Sequence, residues 1–432
     1  MKPPFLLFSI RKLEENIVRI QNLSKALFKD RNVNIFYAVK VNYSVPVLKT
    51  LFKNGIGAEI SRPKELKMAL EHHSQNMILN GHYKSDELIY DSIQNGVKRI
   101  YVESLSELIR VNAVAKKVNK KVDVGVRIKV SENNKVGADL DEVNAISKFQ
   151  SEFLNISAVH YHLGWNVRNM DFVLSSLEKL IQAAQLLKQN GRNIDTANIG
   201  GSFVEFYEDQ KQIYERFVEY QKRIPDFIKN IEIEPGRYFV GDCGVLYANV
   251  VEIRNLGSTI NTCAYGYKLT GGTPSVALVS VGSRKDLRVP LVLFGHWAAE
   301  NDAITLANET RVPRIGDFVR FRNYGAYLDT WFDQLSLDAD VNFEFIHPYD
   351  ELQKYLEAIQ TGSSSILRNH WDHLKDELKS LPVKKGDLRL LLRSITEWIE
   401  KQPFSSDEDL ALRLIYHDYS TLRREIKTYQ QS

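Results

Sequence analysis

Between residues 33 and 234, short apolar runs rich in β-branched residues alternate with segments of helical period, and that alternation leaves few folds open. Eight candidate strands lie near 33–39, 57–60, 77–80, 99–102, 122–128, 156–162, 196–199 and 231–234, separated by helix-length segments such as Pro63 to Glu71 or Asp86 to Asn95. Strict alternation implies parallel strands joined by crossover helices, and eight of them imply a closed (β/α)8 barrel of the TIM type. The chemistry of such a barrel gathers at the C-terminal ends of its strands. Those ends carry Lys40, Glu59 with Ser61, Asn80, Glu103, Arg127, His162, Gly200 with Gly201, and Glu234, a polar residue or glycine at every one.

After residue 240 the pattern changes to short runs, Val245 to Ile253, Ser275 to Val281, Leu291 to Phe294 and Asp317 to Phe321, which read as an antiparallel β-domain joined by the opening strand Phe5 to Ile10. From about 346 it changes again to charged segments of helical period, broken at Gly362-Ser363-Ser364-Ser365. The expected organisation is an α/β chain in three parts: the barrel at 11–243, the β-domain from 1–10 and 244–345, and a helical C-terminal extension at 346–432. Apolar residues near Leu410, Leu414 and Tyr416 give that extension one face to bury, against the body or a second subunit.

Composition removes several function classes. A hydrophobic content of 44% with 26% charged residues is that of a soluble globular chain. A net charge of +3 without a long Lys/Arg block argues against a nucleic-acid partner, and no apolar run approaches the roughly 20 residues that span a bilayer. The apolar core of Met1 to Phe8 is too short for a secretion signal. Two cysteines, Cys243 and Cys263, form neither a disulfide framework nor a metal cluster, so no metal is expected and a reducing cytoplasm is the expected compartment.

Each strand end has a plain reading and a chemical one. Lys40 closes the apolar run Val33 to Val39; it is either a lysine reaching out to water or an amine that holds an aldehyde cofactor as a Schiff base. His162 is either structural or a ring that stacks on an aromatic cofactor or acts as acid or base. Gly200-Gly201 marks a turn, or lets backbone N–H groups approach an anion. Glu234-Pro235-Gly236-Arg237 is a buried ion pair at a turn, or a carboxylate that keeps a pyridine nitrogen protonated beside an arginine that clamps a phosphate. Lysine, histidine, glycine cradle, carboxylate and arginine together describe a site for pyridoxal 5'-phosphate.

The chain resembles the fold-type III pyridoxal-phosphate enzymes of the ornithine/diaminopimelate/arginine decarboxylase group. The resemblance rests on Tyr37-Ala38-Val39-Lys40-Val41-Asn42, His160 to Gly164, Gly200-Gly201, Glu234-Pro235-Gly236-Arg237 and Gly325-Ala326-Tyr327, in order over roughly residues 5 to 347. It implies that Lys40 carries the cofactor, that His162 stacks on its ring and that Glu234 pairs with the ring nitrogen. Gly200, Gly201, Arg237 and Tyr327 would hold the phosphate, Glu59 stands where the family usually has aspartate, and Arg127 matches a position near the ring. It also implies an amino-acid substrate and a homodimer with sites at the interface.

Departures from the family fall at identifiable positions. Relatives carry Gly-x-x-Cys-[Asp/Glu]-x-x-Asp, whose cysteine is the general acid; the segment here is Gly295 to Asp302, with Ala298 at the cysteine position and Ala299 after it. His296 or Glu300 would then supply the proton, and Asp302 remains as the substrate-binding residue. Trp165 stands where the family often has serine, and Ser202 replaces a third glycine. The stretch Val279-Ser280-Val281-Gly282 lacks the carboxylate with which diamine-forming relatives grip a distal ammonium, and Val289 replaces an arginine. An unpaired buried ammonium would cost several kcal/mol, which disfavours ornithine and lysine and leaves a larger or conjugated amino acid. Three functions remain open: a decarboxylase, a racemase or epimerase on the same scaffold, and a catalytically silent regulatory relative. Retention of Lys40, His162, Glu234, Arg237 and Tyr327 argues against the third.

Overall fold

Ser9 ends the first strand, β1 (Phe5–Ser9), and caps the first helix, α1 (Ile10–Leu27), its hydroxyl accepting from the Lys12 N–H at 3.3 Å. The helix therefore starts at Ile10, which the sequence had placed in the strand. The structure, a computed structural model, describes residues 4–131, 135–164, 167–203, 210–254, 257–260, 276–279, 291–295, 303–306, 313–327 and 342–346. The helical extension expected at 346–432 lies outside the described residues but for Ile346.

Eight parallel strands follow α1 and close into a barrel: β2 (Asn32–Ala38), β3 (Gly57–Ile60), β4 (Met77–Leu79), β5 (Arg99–Val102), β6 (Val122–Arg127), β7 (Leu154–His160), β8 (Thr196–Asn198) and β9 (Asn230–Ile233). β9 pairs back onto β2, with Ile35 opposite Ile233. The crossovers are α2 (Val45–Lys53), α3 (Pro63–Glu71), α4 (Asp86–Gln94), α5 (Leu105–Val118), α6 (Leu140–Lys148), α7 (Met170–Gln189) and α8 (Gln210–Arg223). Seven crossovers leave one gap in the outer ring, and α1 fills it by packing against both α2 and α8. The eighth helix of the barrel thus comes first in the chain.

Local chemistry starts these helices where they start. Ser85, Ser104, Asp139 and Asn169 each accept a backbone N–H of the first turn, and proline opens α2 and α3. Gly57 to Ile60 and Arg99 to Val102 are buried at every position, Glu59 and Arg99 included, which is why these strands read as short, mostly apolar runs. Low in the barrel a polar knot replaces apolar filling. Glu232 accepts from Tyr101 Oη at 2.5 Å and pairs with Arg99 and, at 3.2 Å, Lys98. That closes the floor and leaves the opposite end for the site.

A short helix, α9 (Arg237–Val240), leads to β10 (Gly244–Arg254), the central strand of the second sheet. β10 pairs antiparallel with β1, with β11 (Gly257–Ile260) and with β15 (Phe318–Arg322), and β15 pairs antiparallel with β12 (Val276–Val279). β13 (Leu291–Phe294) pairs antiparallel with β14 (Ala303–Leu306) but parallel with β11, and β16 (Asn342–Ile346) pairs with β1. Among the described residues the sheet expected to be antiparallel therefore contains a parallel pair, β11 with β13, whose separation in the chain lets them run the same way. No helix among the described residues is long and apolar enough to cross a membrane.

Candidate active site

The strand ends open onto a cavity of about 320 Å³ lined by Lys40, Glu59, Arg127, His162, Glu234 and Arg237 among others. Lys40 sits just beyond β2, in a single 3-10 turn over Val39–Val41 whose two valines are buried. Burying both valines turns the intervening lysine toward the cavity, with 41% of its side chain exposed there. The turn is tied down on three sides. Tyr37 Oη donates to the Asn42 carbonyl at 3.0 Å, Asn42 Nδ2 to the Gly325 carbonyl at 2.9 Å, and the Tyr327 N–H to the Val41 carbonyl at 2.5 Å. Two of those three ties come from the 313–327 segment, so the second sheet's loop helps fix the lysine.

Lys40 Nζ donates to Glu59 Oε2 at 2.6 Å and to Ser61 Oγ at 3.4 Å. Surrounding protein alone would push the amine's pKa down; Glu59 and Glu65 outweigh it and hold the amine above the ordinary lysine range. Glu65 is buried and accepts from the Ser61 N–H at 2.6 Å. Burial, with Glu59 nearby, pushes its carboxyl up from 4.5 to about 7 against the pull of Lys40. A raised folded pKa means that the fold favours the protonated acid, so this contribution is present below pH 4.5 and is lost as pH rises through about 7. Glu65→Gln, a permanent mimic of the neutral acid, is expected to be more stable than the parent at pH 8 by on the order of 3 kcal/mol, the gap closing at pH 4. Urea midpoints at the two pH values check it.

Glu234 stands one residue past β9, buried, and its hydrogen-bond donors are uncharged. Asn198 Nδ2 donates to Oε1 at 2.7 Å and Asn80 Nδ2 to the same oxygen at 3.1 Å. Both carboxamides are oriented by their other end, since Asn198 Oδ1 accepts the Gly200 N–H and Asn80 Oδ1 the Gly81 N–H, each at 2.9 Å. His160 Nε2 lies 3.6 Å from Glu234 Oε2, but burial and Arg127 push that ring's pKa far down, which leaves it neutral. Burial raises the Glu234 carboxyl, opposed by His162, Lys40 and the Asn198 bond.

His162 follows β7 by two residues and lies against the glycine turn: a Cβ on Gly200 would come within 3.3 Å of its Nδ1. Burial and the charge of Arg127 lower its pKa to about 3, so its ring is uncharged at neutral pH. Gly200 has φ +64°, and a Cβ on Gly201 would stand 2.4 Å from the Glu234 carbonyl oxygen. Gly201→Ala is expected to cost about 1–3 kcal/mol by overpacking, read as a lower melting temperature. Ser202, at the third glycine position, takes φ +62° and accepts the Leu163 N–H at 3.1 Å. That bond ties a side chain into a conformation glycine would adopt freely. Arg237 opens α9 with its guanidinium 5.3 Å from the centre of the Tyr327 ring, and Tyr327 itself has φ +62°.

All the barrel-end residues singled out from sequence, with Tyr327, therefore gather at or beside one cavity, Gly200 and Glu103 just behind its wall. His296, Glu300 and Asp302 lie outside the described residues, as do Trp165, Cys263, Ala298 and Ala299. Cys243 is buried away from the cavity, donating to the Phe239 carbonyl at 3.2 Å, and burial pushes its thiol up. Three groups were not singled out from sequence: Glu65, Asn198 and His82. Glu65 carried a signal, an acid in the first turn of α3 placed to take up a free N–H. Among the described residues no His, Cys, Asp and Glu cluster could hold a metal ion.

Residues 14–241 match the family model described as the pyridoxal-binding domain of pyridoxal-dependent decarboxylases. The chain belongs to that family. Among curated relatives of this decarboxylase-family chain, the diaminopimelate decarboxylase of Methanocaldococcus jannaschii is 27% identical over 247 residues, which cover 51% of this chain and 56% of the relative. The match thus spans little more than half the relative's length. Among solved structures, diaminopimelate decarboxylase from Helicobacter pylori complexed with L-lysine superposes with a TM-score of 0.70 at 20% identity, covering 80% of this chain and 92% of that one. Arginine decarboxylase of Paramecium bursaria Chlorella virus bound to agmatine gives 0.68 at 20% identity, covering 80% and 96%. Enzymes named for different substrates share this fold, so the fold does not choose the substrate.

Proposed function

We propose that the chain is a pyridoxal 5'-phosphate-dependent carboxy-lyase acting on an amino acid or amino-acid conjugate, with Lys40 as the residue that holds the coenzyme. The observation that carries this reading is the pairing, on one cavity, of a lysine amine with a buried carboxylate, Glu234, whose hydrogen-bond donors are neutral carboxamides. A buried carboxylate lacking a cation in contact suits a protonated ring nitrogen, and no described side chain supplies that charge to it directly. The donor set therefore fits the coenzyme.

When bound, the coenzyme supplies a conjugated ring that takes up the electron pair released as a bond to the substrate's α-carbon breaks. Glu234 holds a proton at the ring nitrogen, and Asn80 and Asn198 keep its carboxylate aimed. His162, uncharged, offers a flat face for packing. Arg237, Tyr327 and the backbone of Gly200-Gly201 bind the phosphate. Glu59 orients the Lys40 amine and, with Arg127, completes the wall of the cavity. The active form is a homodimer. Proton return to the substrate carbon uses an acid other than cysteine, because Ala298 stands at that position; His296 and Glu300 are the segment's proton-bearing groups and Asp302 its substrate contact.

Purified protein is expected to bind the coenzyme through Lys40 and to release CO2 from one member of an amino-acid panel that includes diaminopimelate, arginine, lysine and ornithine. A protein that takes up no coenzyme overturns the reading. So does exchange of the α-hydrogen in deuterated water with the carboxylate retained, which signals a racemase.

A further inference from the structure

We propose that His82, oriented by Glu103, is the cavity's proton carrier, the group that protonates the substrate carbon after CO2 has left. This rests on the decarboxylase reading above and names a group that reading leaves open.

His82 lies in the loop after β4 and lines the cavity with its side chain 54% exposed. An exposed histidine is ordinarily mobile, but this one is held. Its Nδ1 lies 2.7 Å from Glu103 Oε2, and Glu103, itself buried, takes Arg127 Nη1 on its other oxygen at 2.9 Å. The carboxylate is fixed in turn, because the Glu103 N–H donates to Glu107 Oε2 at 2.9 Å while Glu107 Oε1 takes the fully buried Lys84 at 2.9 Å. Lys84 also donates to the Gly81 carbonyl at 2.7 Å, which pins the loop carrying His82. Beside it Tyr83 lies beneath Arg110, 5.6 Å from ring centre to guanidinium. A network of two acids, a lysine and an arginine is a large investment in one exposed ring, and its effect is to fix which nitrogen the carboxylate holds and which is left over.

With Nδ1 given to Glu103, Nε2 has no partner among the described residues. A carboxylate on one nitrogen of an imidazole sets the tautomer and supports the charge when the other nitrogen carries a proton. The second histidine on the cavity, His162, is held neutral and so has no proton to give near neutral pH. The step balances simply: CO2 departs with its carbon–carbon bond broken, the electron pair left at the substrate carbon takes the proton from His82 Nε2, and Nε2 then regains a proton from water, which reaches the half-exposed ring.

His82→Asn is expected to keep coenzyme binding, to lower the rate of amine formation by about a hundredfold, within the range for a positioned general acid, and to lower the ratio of amine formed to CO2 released below one. In His82→Ala, added imidazole should restore amine formation, a response that a merely structural role would not give. Histidine-selective 15N NMR of the coenzyme-loaded enzyme supplies a readout independent of turnover: a protonated Nδ1 for the His82 signal, lost in Glu103→Gln. Unchanged amine yield and pH profile in His82→Asn, in an enzyme whose parent releases CO2, overturns the inference and turns the search to His296→Asn and Glu300→Gln. A parent enzyme without coenzyme or CO2 release overturns the functional reading itself, and this inference with it.

Discussion

Lys40→Ala is expected to abolish stable coenzyme attachment and to lower CO2 release by about a thousandfold or more, the order of loss when a positioned catalytic group is removed. The same change has a second, electrostatic effect. Lys40 is the cation that Glu59 grips at 2.6 Å, and its charge lowers the pKa of Glu65. Removing it leaves two acids facing each other in the barrel mouth, and Glu65 takes up a proton in compensation. Alanine therefore confounds loss of chemistry with loss of charge. Lys40→Arg separates them: the guanidinium keeps a positive charge opposite Glu59 but offers no amine to condense with an aldehyde. The expected pair of results is a coenzyme-free, inactive Lys40→Arg whose urea midpoint stays near the parent's, and an equally inactive Lys40→Ala whose midpoint moves with pH differently from the parent's. An active Lys40→Arg would remove the basis of the functional reading.

Lys40 was legible because its surroundings were. Parallel strands buried on both faces show as short, mostly apolar runs, so Gly57–Ile60 and Arg99–Val102 emerge from sequence with the bounds they have in the fold, and the acid at or just past the C-terminal end of each, Glu59 and Glu103, stands out. β7 begins earlier than its apolar run because Asn155 faces outward at the barrel's edge and breaks the pattern. In the second sheet β11, β14 and β16 are short, and the parallel pairing of β11 with β13 depends on a partner that no local pattern names. The same distinction governs the site. Lys40, His162 and Glu234 are marked by position, whereas Asn198, Glu65 and His82 matter through what they touch: a carboxylate on the neighbouring strand, an amide four residues back, a carboxylate on the next strand end. The Asn198 and His82 contacts cross between strands and are products of barrel closure, which a linear pattern does not contain, whereas the Glu65 contact is local and its place in the first turn of α3 shows in the sequence.

Glu234→Gln is the second large effect and the more discriminating one, because it removes the charge and turns one acceptor into a donor while keeping the side chain's shape. Glutamine fits the same space, but its carboxamide cannot stabilise a protonated ring nitrogen as a carboxylate does, and only one of its two ends can accept a hydrogen bond. Both asparagines are already turned so that their N–H groups point at Glu234, held there by the Gly81 and Gly200 amides. The glutamine is thus driven to present its oxygen to them and its NH2 to the ring, opposite in sense to what a protonated pyridine needs. Loss of one preorganised electrostatic contact typically costs about 10²–10³ in rate, and that is the fall expected in kcat, with coenzyme still bound through Lys40 and the phosphate contacts. Glu234→Asp tests the geometry separately: the charge is kept but withdrawn by one methylene from Asn198, so its kcat should lie between those of Glu234→Gln and the parent. Equal kcat in Glu234→Gln and the parent would mean that the carboxylate serves only the packing of the barrel, and that the electron pair released at the substrate carbon is stabilised without it.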